Sequence, residues 1–380
     1  MNSSFSNFIF LSCLILLLNF SSVLLAQNYS IPWQYSFGGS DDEVCYRMQQ
    51  TADSGFMEVG LTWSQDGDVA DALFPRQALL IKFDKNGNLQ WEKTYGGSST
   101  DHSFYTEQTA DHGYIMAMES QSDDGDVPVN YGNQDLVVFK LDESGDIVWS
   151  KVIGGSLHDH PCCIRQISNG YIFAGASLSN DGDVTGHHGS SDYFDIWVVK
   201  MDTSGNIIWS KSLGGSLTEF ARYIQQLPGG DFLLTGESYS DDGDISGHHA
   251  PSITSDLIVM KLDSAGKIIW QKSFGGAGDD VGQDLVLTAD GGYAVVGATD
   301  SNDGDVIFNH GSYDYWILKL DSAGNLQWQK TLGGSESDYS RSIQVSTDGG
   351  FVIGGESYSN DGDVSNNKGQ SDFWLVRTDS

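Results

Sequence analysis

The string W-x-x-x-[FYIL]-G-G occurs six times in this chain, starting at Trp33, Trp91, Trp149, Trp209, Trp270 and Trp328, at intervals of 58, 58, 60, 61 and 58 residues. Self-similarity at a fixed period means one supersecondary unit repeated, each copy burying its apolar face against its neighbours. Inside each copy the same features return in the same order. An acid stands four residues after Gly-Gly, followed by a short alternating run such as Ser342-Ile343-Gln344-Val345. A Gly turn comes next, Asp348-Gly349-Gly350 in the last copy, and then a second run, Phe351 to Ser357. A longer loop with Asp-Gly-Asp precedes a third run, such as Asp314 to Asp321, and Ser322-Ala323-Gly324-Asn325 leads into a fourth, Leu326 to Lys330. Runs of 5 to 9 residues, rich in β-branched and aromatic side chains and bounded by Gly, Asp, Asn and Ser, are strands. The glycines of the tight turns supply the positive φ that hairpins require.

Four antiparallel strands per unit, repeated, make propeller blades. The ends set the count. Asp372 to Asp379 reads as a third strand with no fourth after it, and Ile31 to Phe37 as a fourth strand with no first three before it. Pairing the two would complete the ring and remove exposed sheet edges. The expectation is therefore an all-β, six-bladed β-propeller of residues 27–380, four antiparallel strands per blade, closed by the N-terminal strand joining the last blade. The six repeated Trp read as packing residues between neighbouring blades.

Residues Met1 to Ala26 carry no charged side chain and contain an apolar run from Phe8 to Leu18. This reads as a secretory signal peptide cleaved near Ala26, which places the mature protein outside the cell or at its surface. No later segment is apolar enough to span a membrane. Three cysteines then remain, Cys45, Cys162 and Cys163. An odd number is no disulfide framework, so the fold must hold without one. A vicinal Cys162–Cys163 bond and two reduced thiols both fit. With 52 acids against 19 bases the formal net charge is −33, which disfavours nucleic acid and anionic membranes as partners and makes cations natural counterparts.

Labelling the strands of a blade A to D from the centre outward puts the short A–B and C–D turns on one face. The long B–C loops and the D–A connections lie on the other. Six Asp-Gly-Asp triplets fall on this second face: Asp66 and Asp68, Asp124 and Asp126, Asp181 and Asp183, Asp242 and Asp244, Asp303 and Asp305, Asp361 and Asp363. Five copies add Asp135, Asp195, Asp256, Asp314 or Asp372 at the start of strand C, where the first copy has Gln77. Ca²⁺ takes six to eight oxygens, and this spacing can converge several carboxylates. The pattern lacks the full EF-hand signature, so two readings stand: a Ca²⁺ site, and an Asx-type turn without metal. His102, His158, His160, His187, His188, His248, His249 and His310 fall on or beside the same face, and His112 on the other. The His187-His188 and His248-His249 pairs raise a transition-metal reading against that of a plain polar turn.

In a ring of repeats, a ligand or catalytic site should show as departures from the repeat. The acids after Gly-Gly are Glu43, Asp101, Asp159, Glu219, Asp280 and Asp338, and with Arg47, Arg222 and Arg341 they form the candidate ligand-binding set. Glu43 and Glu219, from opposite blades, are the alternative catalytic pair of a glycoside hydrolase. Glu119, Glu237 and Glu356 end second strands on the same face. No Ser–His–Asp order, phosphate loop or zinc-protease motif occurs.

The unit W-x-K-x-x-G-G-S-x-x-D … D-G-G-Y … D-G-D-V … D-x-W-x-x-K-L-D-x-x-G-N resembles a repeat of secreted proteins from Bacteroidetes-type bacteria, over residues 31 to 380. The G-G-Y/F pattern with a downstream Trp is more weakly similar to kelch. The first resemblance implies a secreted propeller and, for some members, an endoglucanase. The expected function is an extracellular binding or scaffold module engaging a glycan or protein through its acidic face, with glycan cleavage as the alternative.

Overall fold

In the computed structural model each inner strand starts at the acid that follows Gly-Gly: Glu43–Gln50, Asp101–Gln108, Asp159–Ile167, Glu219–Gln226, Asp280–Leu287 and Asp338–Val345. The structure describes residues 33–379 apart from 70, 71, 74 and 250–252. The leader expected over residues 1–26 lies outside the described residues. Contacts divide the chain into Met1–Tyr35 and Ser36–Ser380. Of the first unit, Trp33–Tyr35 are described and carry no strand.

The second unit is a six-bladed β-propeller. Five sheets have four antiparallel strands in simple A-B-C-D order, and the sixth, Asp338–Val345, Phe351–Ser357 and Asp372–Thr378, has three among the described residues. The closing strand expected over residues 31–37 begins outside the described residues, and Trp33 to Phe37 carries no ladder. The middle strands are buried on both faces, as in Tyr114–Ser120 and Asp135–Leu141. Strands sandwiched between neighbours on both faces read as continuous apolar runs, which is why the repeat is so rich in Val, Ile and Leu.

The repeated Trp does the packing its recurrence suggests. Trp91, Trp149, Trp209, Trp270 and Trp328 each lie 5.7 to 6.3 Å, centroid to centroid, from the aromatic ring of Tyr114, Tyr171, Phe232, Tyr293 or Phe351 near the start of the next blade's second strand. Trp91, Trp149, Trp209 and Trp270 also cover the C–D turn glycine of that next blade, so that a methyl group added at Gly145, Gly205, Gly266 or Gly324 would sit 2.8 to 3.0 Å from the indole. On the short-turn face, buried lysines of strand C reach the Asp of the A–B turn, Lys82 to Asp53 at 2.9 Å, Lys140 to Asp111 at 3.0 Å and Lys319 to Asp290 at 2.8 Å.

Strand C of the last blade departs from its counterparts. Phe373 is 100% and Leu375 73% exposed, whereas the equivalent Leu257, Val259, Tyr315 and Ile317 are fully buried against the following blade. On the first inner strand Val44, Tyr46 and Met48 are exposed as well. Cys45, Cys162 and Cys163 are all free thiols.

Candidate functional site

The acids after Gly-Gly are local fasteners. Asp101 accepts from the Gly97 amide at 2.7 Å and from the hydroxyls of Ser122, at 2.9 Å, and Ser120. Glu219 accepts from the Gly215 amide at 3.0 Å and Ser238 at 2.8 Å, Asp280 from Gly276 and Ser301, Asp338 from Gly334 and Ser359, and Asp159 from Gly155 and Ser177. Glu43 bonds Thr62 at 2.8 Å and the Gly39 amide at 3.2 Å. Asp101, Asp159, Glu219, Asp280 and Asp338 have no exposed surface. Burial pushes Glu219 and Asp280 up to about 7 and Asp159 up to about 6. This geometry moves the ligand-binding reading off these six acids. It also leaves Glu43 and Glu219 facing their own loops rather than each other.

The Asp-Gly-Asp triplets clasp the D–A connection of their own blade. The first Asp accepts the backbone N–H two residues after the preceding Gly-Gly's first Gly: Asp66 from Ser40, Asp124 from Ser98, Asp181 from Ser156, Asp242 from Ser216, Asp303 from Ala277 and Asp361 from Ser335, each at 2.7 Å. The amide of the second Asp donates back to that first Gly's carbonyl, as Asp126 does to Gly96 and Asp244 to Gly214, both at 2.9 Å. Asp68, Asp183, Asp305 and Asp363 do the same towards Gly38, Gly154, Gly275 and Gly333. Each of these bonds joins segments 25 or 26 residues apart, so the first Asp ties two loops together, and the local Asx turn its sequence suggested is not the bond it makes. Among the described residues the carboxylates of these triplets do not gather in threes around one point.

Histidines tie neighbouring blades together on this face. His188 Nδ1 lies 2.8 Å from Asp195 in its own blade, and its Nε2 lies 3.7 Å from Asp244 in the next. His249 spans Asp256 and Asp305 at 2.7 and 3.4 Å, and His310 spans Asp314 and Asp363 at 2.6 and 3.5 Å. The first members of the sequence pairs, His187 and His248, have buried side chains directed at the same aspartates. Each pair therefore serves one carboxylate. Burial works against a charge on His249, but Asp256 and Asp305 overcome it and raise its pKa.

With the repeated acids committed to architecture, variation marks the site. Every inner strand carries a β-bulge at one position, between Cys45 and Arg47, Ser103 and Tyr105, Ala221 and Tyr223, Gly282 and Asp284, Ser340 and Ser342, and at Cys162 opposite Ala174 and Gly175. A bulge re-aims a side chain and often sits beside functional sites. The bulged residues differ from blade to blade, and so do those just after each acid, which include His102, His160, Phe220 and Tyr339. Arg222 pairs with Glu237 at 2.7 Å and Arg341 with Glu356 at 2.6 Å. Arg47 stacks over Tyr105 at 4.2 Å and exerts its charge on the buried Asp284. Between the third and fourth blades Tyr193, Leu217, Thr218, Phe220 and Tyr239 line an apolar cleft of about 320 Å³.

Beside that cleft is a cluster the sequence had not singled out as a unit. His160 Nδ1 lies 2.7 Å and His158 Nε2 3.4 Å from the same Glu119 oxygen, and Gln134 Nε2 donates to the other oxygen at 2.6 Å. Burial opposes ionisation of Glu119, but His158 and His160 overcome it and hold the carboxyl down at about 2. Burial likewise opposes the charge on His160, yet Cys162 and Glu119 raise it to about 10. His158 and His160 stack edge-on against Phe194 and Phe220 respectively. Aligning the six repeats in columns would have found it: only at this junction do two histidines and a strand-end Glu fall in the three facing columns.

No family model matches the chain. A stretch of 164 residues, 41% of the chain, is 26% identical to the regulatory protein FlaEY of Caulobacter vibrioides and spans 17% of that protein's length. Among solved structures the chain is similar to the β-propeller domain of the Trilobed protease from Pyrococcus furiosus, at TM-score 0.45 and 8% identity over 89% of this chain and 82% of that one. It is similar also to a protein of unknown function from Bacteroides caccae, at 0.44 and 12% over 79% and 85%. The WD40 domain of Neurospora crassa Pan2 matches at 0.41 and 10% over 82% and 86%.

Proposed function

We propose that this chain is a binding propeller that works outside the cell and takes a neutral glycan in the aromatic cleft between its third and fourth blades. The observation that carries the reading is the division of labour on the loop face. The repeated acids are consumed by backbone and hydroxyl hydrogen bonds, whereas the blade-specific side chains form an apolar cleft with polar groups at its edge. A concave apolar surface with few directed polar groups is the usual form of a small-ligand site. Tyr193, Phe220 and Tyr239 offer ring faces for sugar C–H groups, and the Arg222–Glu237 pair offers donors and acceptors beside them. The net charge of −33 disfavours acidic polysaccharides. Hydrolysis has no support from the Glu43 and Glu219 pair, whose carboxylates are spent on their own blades.

Affinity electrophoresis and calorimetry against neutral polysaccharides and their oligomers test the reading, with reducing-sugar release followed in the same samples. Binding without turnover, weakened at least about tenfold by Phe220→Ala, is the expected result. Binding unchanged by Phe220→Ala and Tyr239→Ala moves the ligand elsewhere, and retention of protein partners with no glycan binding replaces the glycan by a protein.

A further inference from the structure

We infer that Glu119, His158 and His160 form a three-ligand site for a divalent first-row transition ion, with Zn²⁺ as the reference occupant. The three ligand atoms lie within 4.8 Å of one another. Zinc bonds of 2.0–2.1 Å in tetrahedral array separate ligand atoms by about 3.3 Å. The 3.4 Å between His158 Nε2 and Glu119 already matches that spacing, and the 2.7 Å between His160 Nδ1 and Glu119 needs only a small opening. His158 Nε2 is buried and makes no hydrogen bond, although the carboxylate is so near. At 3.4 Å the nitrogen is close enough to bond that oxygen but is not aligned with it, which leaves its lone pair available to a third atom beside the carboxylate.

The surroundings fit. Gln134 holds the second carboxylate oxygen at 2.6 Å and fixes its direction, the kind of outer support that metal-ligating groups ordinarily receive. The cluster straddles two blades, with Glu119 at the end of strand Tyr114–Ser120 and His160 in the next inner strand, Asp159–Ile167. Two of the three ligands are thus presented from hydrogen-bonded strands, and His158 directly precedes the second of them. Nitrogen and carboxylate donors suit zinc and its neighbours, whereas Ca²⁺ prefers oxygen alone. Two histidines and one glutamate leave a coordination position for water or a ligand group. The two imidazoles are partly exposed, although His158 Nε2 and Glu119 are buried. In the other blades the equivalent residues are Leu61, Thr100 and His102, or Ala176, Thr218 and Phe220, or Glu237, Asp279 and Val281, or Ala298, Ser337 and Tyr339, or, from the last and first blades, Glu356, Asp42 and Val44, and none repeats the set.

The test uses the chain stripped with chelator and titrated with Zn²⁺ by calorimetry and with Co²⁺ by visible spectroscopy. One equivalent of Zn²⁺ is expected to bind, with Co²⁺ giving d–d bands of a nitrogen and oxygen ligand set. His158→Ala and Glu119→Gln should each weaken Zn²⁺ at least about tenfold, and added Zn²⁺ should raise the melting temperature of the parent chain more than that of either variant. If His158→Ala does not fold, Glu119→Gln, which keeps the shape and an acceptor for Gln134, carries the comparison. Failure of the chain to saturate, affinity unmoved in Glu119→Gln, or a sulfur-to-cobalt charge-transfer band placing the ion on Cys162 or Cys163 would overturn the assignment. Glycan binding is read separately, so loss of either result leaves the other standing.

Discussion

At the scale of single residues, the repeat works through backbone positions that tolerate no side chain. Gly243, the centre of one Asp-Gly-Asp triplet, has φ +64° and faces the Gly214 carbonyl so closely that an added methyl would sit 2.4 Å from its oxygen. Gly247, a few residues on, has φ +85° with nothing within 4 Å. Ala at either pays the left-handed strain, of order 1–3 kcal/mol, but only Gly243→Ala must also push the clasped loops apart. Urea titrations should therefore rank Gly243→Ala well below Gly247→Ala, by on the order of 2 kcal/mol or more. Equal losses would mean that the clasp is loose. Asp242 permits a sharper question about calcium. Its Oδ1 accepts the Ser216 amide, and an Asn oxygen can do the same. Asp242→Asn should stay within about 0.5 kcal/mol of the parent. Its melting temperature should respond to Ca²⁺ no differently from the parent's. A calcium-induced rise that vanishes in the variant would restore the metal reading for these loops.

At the scale of strands and blades, burial separates residues on the same face of equivalent strands that the sequence makes look alike. Leu257 and Leu375 both lie on third strands, but the first is sealed against the following blade and the second is 73% exposed. Leu257→Ala should cost about 2–5 kcal/mol and Leu375→Ala under about 1 kcal/mol in denaturant melts. A large loss at Leu375 would show that in solution the last blade is covered. The strands themselves were legible because period-two alternation and glycine turns are local signals, and every inner strand starts at the acid that the repeat marks. The job of those acids was not legible. Asp101 is satisfied by Ser120 and Ser122, about twenty residues away at and just past the end of the next strand, and a carboxylate reads the same in sequence whether it meets a hydroxyl, a metal or a sugar. The Glu119–His160 pairing spans 41 residues and two blades, and depends on which column of one blade faces which column of the next. Strand assignment alone does not supply that offset.

At the scale of the whole molecule, the ring concentrates acid where water is scarce, and this sets the direction of its response to pH. Burial raises Glu219 and Asp280 to about 7 and Asp159 and Asp284 to about 6, so between roughly pH 4 and pH 7 the folded chain holds protons that the unfolded chain has released. Folding is then favoured as pH falls through that window. His249 acts in the same sense. Its raised folded pKa contributes stability in full below its ordinary value, and that stability is lost as pH rises through the raised one. Relief of self-repulsion in a chain of net charge −33 adds to both. His102, pushed down to about 4 by burial, pulls the other way as pH falls below its ordinary value, and Glu119, held at about 2, does so once the pH drops below the ordinary carboxylate range. Thermal melts at constant ionic strength should accordingly show a higher transition at pH 5.5 than at pH 8. Asp280→Asn imitates the protonated acid, so it should stabilise the chain at pH 8 and flatten the slope between the two. A transition that falls on going from pH 8 to 5.5, or a slope that Asp280→Asn leaves intact, would mean that the buried carboxylates do not govern the ring's stability.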